Sequence, residues 1–296
     1  MGELEVLHPG LYSSIQDLGR NNFRKFGVPQ SGVMDSYAAK KANLILSNSE
    51  TDPVLEITQM GPKLKFYSPT RIAICGAALS PKINNIEFSN NKLIPVASGD
   101  ILSFGKRIFG CRAYIAIAGG FISEKVLNSY SWYNEITESS ILNKGMHLKY
   151  PEVKILSNRL NASLKVDTSY IRSNSIKVYK GPEHDLLSLS QKELLLNTEF
   201  TVDVSNNRMA IQLTEPLHNK LKPIITGPVL PGTVQLTPSG KLILLMRDCQ
   251  TTGGYPRILH LSEDGINTIS QKVTGESFKF QLNQELRGGP MRKGLK

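Results

Sequence analysis

The sequence predicts a mainly β protein with a few short helices, arranged as two β-barrel domains. Three observations carry that expectation. Short β-branched runs recur along the chain, punctuated by Gly, Pro, Asn and Ser. One of them, Phe200-Thr201-Val202-Asp203-Val204, alternates apolar and polar residues as a strand with one buried face does. The third is an internal echo. Val96-Ala97-Ser98-Gly99-Asp100-Ile101 leads through an apolar run to Gly119-Gly120, and Val229-Leu230-Pro231-Gly232-Thr233-Val234 leads likewise to Gly253-Gly254. The first Gly precedes the Gly pair by 20 residues in one case and 21 in the other, which two similar β domains explain economically.

Taken in order, strands are expected at 54–58, 71–75, 112–118, 176–179, 200–204, 209–213 and 241–246. Thr237-Pro238-Ser239-Gly240 reads as a hairpin turn between two of the apolar runs. A first helix follows Asp35, an N-cap type, with Ala38, Ala42 and Ile45 on one face up to Asn48. A second starts at Ser190, where Glu193 stands at capping-box spacing. A third runs from Ser262 to Gln271 despite Gly265. The polar, Asn- and Ser-rich segment 151–175 suits a connector between an N-terminal domain, 1–150, and a C-terminal one, 176–286. Residues 1–50 belong to either barrel or bridge both, and 287–296 reads as a basic, Gly-rich tail.

Composition bounds the function. With 296 residues, 40% hydrophobic and 20% charged, the chain is globular rather than disordered. No apolar run approaches the roughly 18 residues of a membrane span, and the N-terminus lacks the basic and apolar regions of a signal peptide. Cys75, Cys111 and Cys249 are far apart and form no CxxC pair, as expected in a reducing cytoplasm. The net charge is +10, but four basic residues, Arg287, Arg292, Lys293 and Lys296, lie in the last ten positions. The rest is diffuse, unlike a nucleic-acid reader, and suits collection of an anionic small molecule.

Familiar catalytic motifs are absent. The five histidines are isolated, with no HExxH and no metal-ligand spacing, and there is no GxSxG elbow. Gly99 to Arg107 has five residues between its glycines and Arg after the Lys, so it is not a phosphate loop.

Two stretches concentrate polar residues and glycine. The first holds Gln16, Asp17 and Arg20, then Ser31 and Asp35, and ends at Asn43. The second runs Leu244-Leu245-Met246-Arg247-Asp248-Cys249-Gln250-Thr251-Thr252-Gly253-Gly254-Tyr255-Pro256. Here an apolar strand meets charged and amide side chains, and a Thr-Thr-Gly-Gly turn lets backbone approach a ligand. Asp248 can accept a proton or help hold a metal–phosphate, and Gln250 and Thr252 offer directional hydrogen bonds. Arg208 can pair with a carboxylate or phosphate. A plainer account stands beside this one: Asp17–Arg20 a local ion pair, Asp35 a helix cap, Gly253-Gly254 a turn.

The motifs Ser14-Ile15-Gln16-Asp17-Leu18-Gly19-Arg20, Gly27-Val28-Pro29, Ser31-Gly32-Val33-Met34-Asp35, Ala42-Asn43, Leu55-Glu56-Ile57-Thr58, Gly61-Pro62, Tyr114 to Gly120, Arg208-Met209, Gln235 and Asp248 to Tyr255 occur in that order. Together they resemble the biotin-dependent-carboxyltransferase-like family, which includes the second subunit of allophanate hydrolase, the antagonist of the kinase inhibitor KipI, and the C subunit of 5-oxoprolinase. The resemblance spans nearly the whole chain. The family pattern is broken mildly by Ala210 after Arg208-Met209, where Gly is usual, and by Ile15 for Val.

The resemblance implies two cyclophilin-like β-barrels and an ATP-dependent opening of 5-oxoproline to glutamate. It also implies two partners, a B subunit of KipI type and an A subunit of LamB/YcsF type, with ATP and Mg²⁺ bound by or shared with a partner. On that reading Arg208 holds an anionic oxygen, and Asp248 serves a metal or a proton. Gln235, Gln250, Thr252, Gly253, Gly254 and Tyr255 contact substrate or nucleotide, and Gln16, Asp17, Arg20, Ser31, Asp35 and Asn43 form a secondary or interface group. Two alternatives remain open. One is a carboxyltransferase of urea-type metabolism, whose biotin would have to arrive on another protein because no Met-Lys-Met site exists here. The other is a non-catalytic regulator of a sensor-kinase inhibitor.

Overall fold

In the computed structural model, which describes residues 1–152 and 164–283, strands dominate and helices are few and short. The basic tail and residues 153–163 of the connector lie outside the described residues.

The first half carries two sheets. One has six strands in the order His147–Tyr150, Gly2–His8, Lys63–Phe66, Ile101–Phe104, Pro81–Ile83 and Ile86–Glu87. The other has five, in the order Tyr12–Gln16, Val54–Thr58, Phe109–Ile117, Thr70–Ala78 and Leu93–Val96. Alternation drives this arrangement. In Gly2–His8, Leu4 and Val6 are buried while Glu3 and Glu5 face outward. Both sheets give side chains to one core, Leu4, Val6 and Leu64 from the first meeting Ile15, Ile57, Ile72 and Ile115 from the second. The Gly99–Arg107 stretch is a turn and a strand, so it cradles nothing at a helix N-terminus.

The second half is a closed seven-stranded barrel. Around it run Ser175–Lys180, Arg257–Leu261, Thr233–Leu236, Leu242–Leu245, Ala210–Leu213, Phe200–Asn206 and Ser277–Leu282. Thr237 to Gly240 make the hairpin turn, with Gly240 at φ +90°. One strand departs from its pattern. Phe200 and Val202 are buried, but Val204, on the same face by alternation, is exposed. The register shifts between Val202 and Asn206, which lifts the strand end off the core.

Four α-helices occur in the described residues: α1 (Ser36–Ile45), α2 (Ser169–Arg172), α3 (Leu189–Asn197) and α4 (Glu263–Ser270). Asp35 caps α1 by accepting from Ala38 N at 3.0 Å. The helix stops three residues before Asn48, because Ser47 adopts φ +60°. The capping box of α3 uses Ser188 and Gln191, not Ser190 and Glu193. Both candidate pairs have the right spacing, and the extended backbone at Ser188 selects the earlier one. Ser262 caps α4 through Gly265 N, so the glycine lies where close approach to Lys177 O requires it. The short α2 was not legible in the polar segment around it.

Residues 17–35 run between the halves. Met34 joins the barrel core beside Val234, Leu244 and Ile258, while Val33 and α1 pack on the five-stranded sheet with Ala73 and Ala116.

Candidate functional site

Charge burial marks the site. Glu56 sits in Val54–Thr58 between Leu55 and Ile57 and is fully buried. A buried carboxylate needs partners, and Arg208 is the main one. Arg208 is 7% exposed and lies in the turn between Phe200–Asn206 and Ala210–Leu213. Its Nη1 donates to Glu56 Oε1. Its Nε donates to Asp248 Oδ2 at 2.8 Å and its Nη2 to Asp248 Oδ1 at 3.1 Å, a two-pronged pair. Nη2 also donates to Gly32 O at 2.7 Å and to Gln16 Oε1 at 3.3 Å. Met34 N donates to the other Glu56 oxygen at 2.7 Å, and Arg112 Nε stands 4.0 Å from Oε1. Burial opposes the Arg208 charge, but Asp248 and Glu56 outweigh it, so the guanidinium stays protonated.

This network floors a cleft of about 560 Å³ between the halves. Tyr12, Arg112 and Tyr133 line it from the sheet side, and Asn206, Asn207, Arg208 and Asp248 from the barrel side. Burial pushes the Tyr12 hydroxyl above its ordinary pKa, with Arg208 opposing, and burial does the same to Tyr133. Both phenols therefore remain hydrogen-bond donors at neutral pH. The cleft offers donors and acceptors to a small polar molecule, with its opposite charges already matched.

The sequence candidates divide. Arg208, Asp248 and Gln16 meet in the network, although they are far apart in the chain. Arg208 is neutralised by Asp248 and Glu56, and each of its three nitrogens donates within the protein. Asp17 and Arg20 form no ion pair with each other. Asp17 accepts from Ser129 Oγ, Ser131 Oγ, Tyr130 N and Gly19 N at 2.6–2.8 Å, and Arg20 donates to Ser131 O. Together they pin the 129–131 segment. Ser31, at φ +56°, is buried, and its N donates to Arg247 O. Asp35 is a helix cap that also accepts from Tyr170 Oη at 2.6 Å and Gln271 Nε2 at 2.7 Å. Asn43 is buried and donates to Asp52 O.

Gln235, Thr252, Gly253, Gly254 and Tyr255 lie away from the cleft lining. Thr252–Gly253 pairs with Gly227–Pro228 as a two-stranded ribbon. Gln235 lies beneath it, so close that a Cβ on Gly253 would stand 2.5 Å from its Nε2. Gln250 is exposed, and its carbonyl accepts from Arg24 at 3.0 Å.

Residue types alone did not single out Glu56, Tyr12, Tyr133, Asn206 and Asn207. Only Glu56 carried a usable signal, a carboxylate inside an apolar strand. Among the described residues no group of three or more His, Cys, Asp or Glu side chains could hold a metal ion. Nor is any helix long and apolar enough to cross a membrane.

Comparison with known proteins agrees with this architecture. The family model "Carboxyltransferase domain, subdomain A and B" matches residues 26–282. The chain is 27% identical to the C subunit of 5-oxoprolinase from Escherichia coli (strain K12) over 283 residues, covering 94% of this chain and 90% of that protein. The crystal structure of Kluyveromyces lactis urea amidolyase superposes with a TM-score of 0.82 at 29% identity, covering 94% of this chain and 18% of that one. The crystal structure of TTHA0988 gives a TM-score of 0.84 at 23% identity, covering 95% of this chain and 55% of that one. The chain thus spans about half, or much less, of these solved proteins. With the family model matching residues 26–282, well over half of its length, the chain belongs to the family of carboxyltransferase domains with subdomains A and B.

Proposed function

We propose that this chain is the C subunit of an ATP-dependent 5-oxoprolinase, active in the cytoplasm with a KipI-like partner and a LamB/YcsF-like partner. The observation that carries the reading is the end-to-end match to the corresponding component of that enzyme, 94% of one chain against 90% of the other. The cleft suits the role. A five-membered lactam presents one N–H and one carbonyl, and the cleft supplies a carboxylate and phenolic donors for that pair.

Water attacks a lactam slowly, and conversion of its carbonyl oxygen to a phosphate ester creates a leaving group, which accounts for ATP. This chain's residues do not fit a Mg²⁺ site. Asp248 and Glu56 are each already neutralised by Arg208, whereas Mg²⁺ with its phosphates needs a carboxylate free for it. Mg-ATP is therefore assigned to a partner. Asp248, held by Arg208 on its inner side, keeps lone pairs for the lactam N–H, and Tyr12 or Tyr133 donates to the carbonyl. Arg208 acts through Asp248 as a positioning residue.

Reconstitution tests the proposal. This chain alone, this chain with the KipI-like partner, the two partners without it, and all three together are assayed for 5-oxoproline-dependent ADP and glutamate. Turnover confined to the three-component mixture supports it, and turnover by the two partners without this chain overturns it. A urea-type carboxyltransferase is the second reading, favoured by the likeness to urea amidolyase. Inhibition of activity by avidin would select it.

A further inference from the structure

The Gln250-to-Tyr255 motif lies away from the cleft, yet it supports a distinct surface. Around the ribbon, Ile225 is 97% exposed, Phe26 69%, Leu230 52% and Tyr255 39%. They are held on a firm frame. Arg24 donates to Val229 O and Gln250 O, Ile224 N donates to Gly254 O at 2.9 Å, and Arg257 Nη1 donates to Pro228 O at 2.9 Å. Val229, Leu245 and Cys249 pack beneath.

Large apolar side chains fixed outward on a rigid base cost solvation and point to a binding partner. The charge around them indicates what that partner carries. Lys25 precedes Phe26, and Lys220 and Lys222 precede Ile225 in the same loop. None of these three is ion-paired among the described residues, whereas Arg257 is already matched by Glu183 at 2.7 Å.

We infer that the surface formed by residues 24–26, 220–230 and 250–255 is the docking site for a partner chain that presents acidic side chains around an apolar anchor. This rests on the heteromeric reading above, in which the partner is the KipI-like protein. The Thr-Thr-Gly-Gly sequence then serves assembly: it lets the ribbon lie flat over Gln235 and present Ile225 and Tyr255.

The test is titration of the purified KipI-like partner against the full chain by calorimetry, at low and high salt. The variants are Phe26→Asp, Ile225→Asp and the double reversal Lys25→Glu/Lys222→Glu. Ile86→Asp is the control, because Ile86 is 75% exposed on the opposite, N-terminal half, at the edge of the six-stranded sheet. Circular dichroism melts verify folding, and Ile225→Ala replaces Ile225→Asp if the latter melts early. The inference expects about tenfold or greater weakening in each patch variant, an affinity that falls with salt, and an unchanged control. Tight binding by every variant would move the docking site elsewhere and leave the complex intact. No binding by the wild-type chain would overturn both the site and the heteromeric reading. Self-association of the chain through the patch, seen by sedimentation, would also overturn the assigned occupant.

Discussion

Replacing Arg208 with methionine isolates the energetic role of the network that joins the two halves. Methionine keeps much of the volume, so the loss is electrostatic rather than a cavity. Two interactions with Asp248 and one each with Glu56, Gly32 O and Gln16 disappear. Glu56, fully buried, is left with Met34 N and an arginine nitrogen 4.0 Å away. Removing one partner of a buried ion pair costs about 3–5 kcal/mol, because the other charge stays desolvated. For a chain of this size that lowers the thermal midpoint on the order of 10 °C. The assay is guanidinium unfolding followed by circular dichroism, with Arg208→Met/Glu56→Gln as companion. The double variant no longer strands Glu56, while Asp248 still lacks its partner, so it should regain part of the loss and not all of it. A cost below about 1 kcal/mol for the single variant, or a double variant no more stable than the single, would refute the reasoning.

Two further predictions concern positions outside the cleft. Burial pushes the Asp35 carboxyl up to about 6 from 3.8, against hydrogen bonds from Ala38, Gln271 and Tyr170. The folded state therefore holds this proton more tightly than the unfolded chain. The associated stability is full below pH 3.8 and is lost as pH rises through about 6. Thermal midpoints from pH 3.5 to 7.5 should accordingly fall less steeply for Asp35→Asn than for wild type, and parallel curves would contradict this. Gly253→Ala places a methyl 2.5 Å from Gln235 Nε2. Because Nε2 ends a flexible side chain, the cost should be only about 1 kcal/mol, recovered by adding Gln235→Ala, and a cost above about 3 kcal/mol in denaturant melts would show that Gln235 cannot move aside.

The elements legible in the sequence were those fixed by local chemistry. The Val54–Thr58 strand, the 237–240 turn and α1 behind Asp35 follow from β-branched runs, turn residues and a cap. What failed depended on the rest of the molecule. Val204 keeps the alternation of its strand, but a register shift takes it off the core. Ser188 and Ser190 are equivalent by spacing, and backbone geometry chose between them. The site shows the same division. Arg208 and Asp248 were identifiable as charged residues beside apolar strands, but their mutual pairing, and Glu56 as the third member, required the packed halves. Glycine in Thr252–Gly253 signalled close approach correctly. The close neighbour was Gln235 of the same chain, a distinction residue types cannot make.

The most direct test of the cleft as the reacting site is Asp248→Asn in the reconstituted complex, read as 5-oxoproline-dependent ADP release together with co-elution of the three components. Asparagine preserves size and can still meet Arg208, so assembly should persist while the rate falls by about a hundredfold or more. A rate within about twofold of wild type, or dissociation of the complex, would contradict the account.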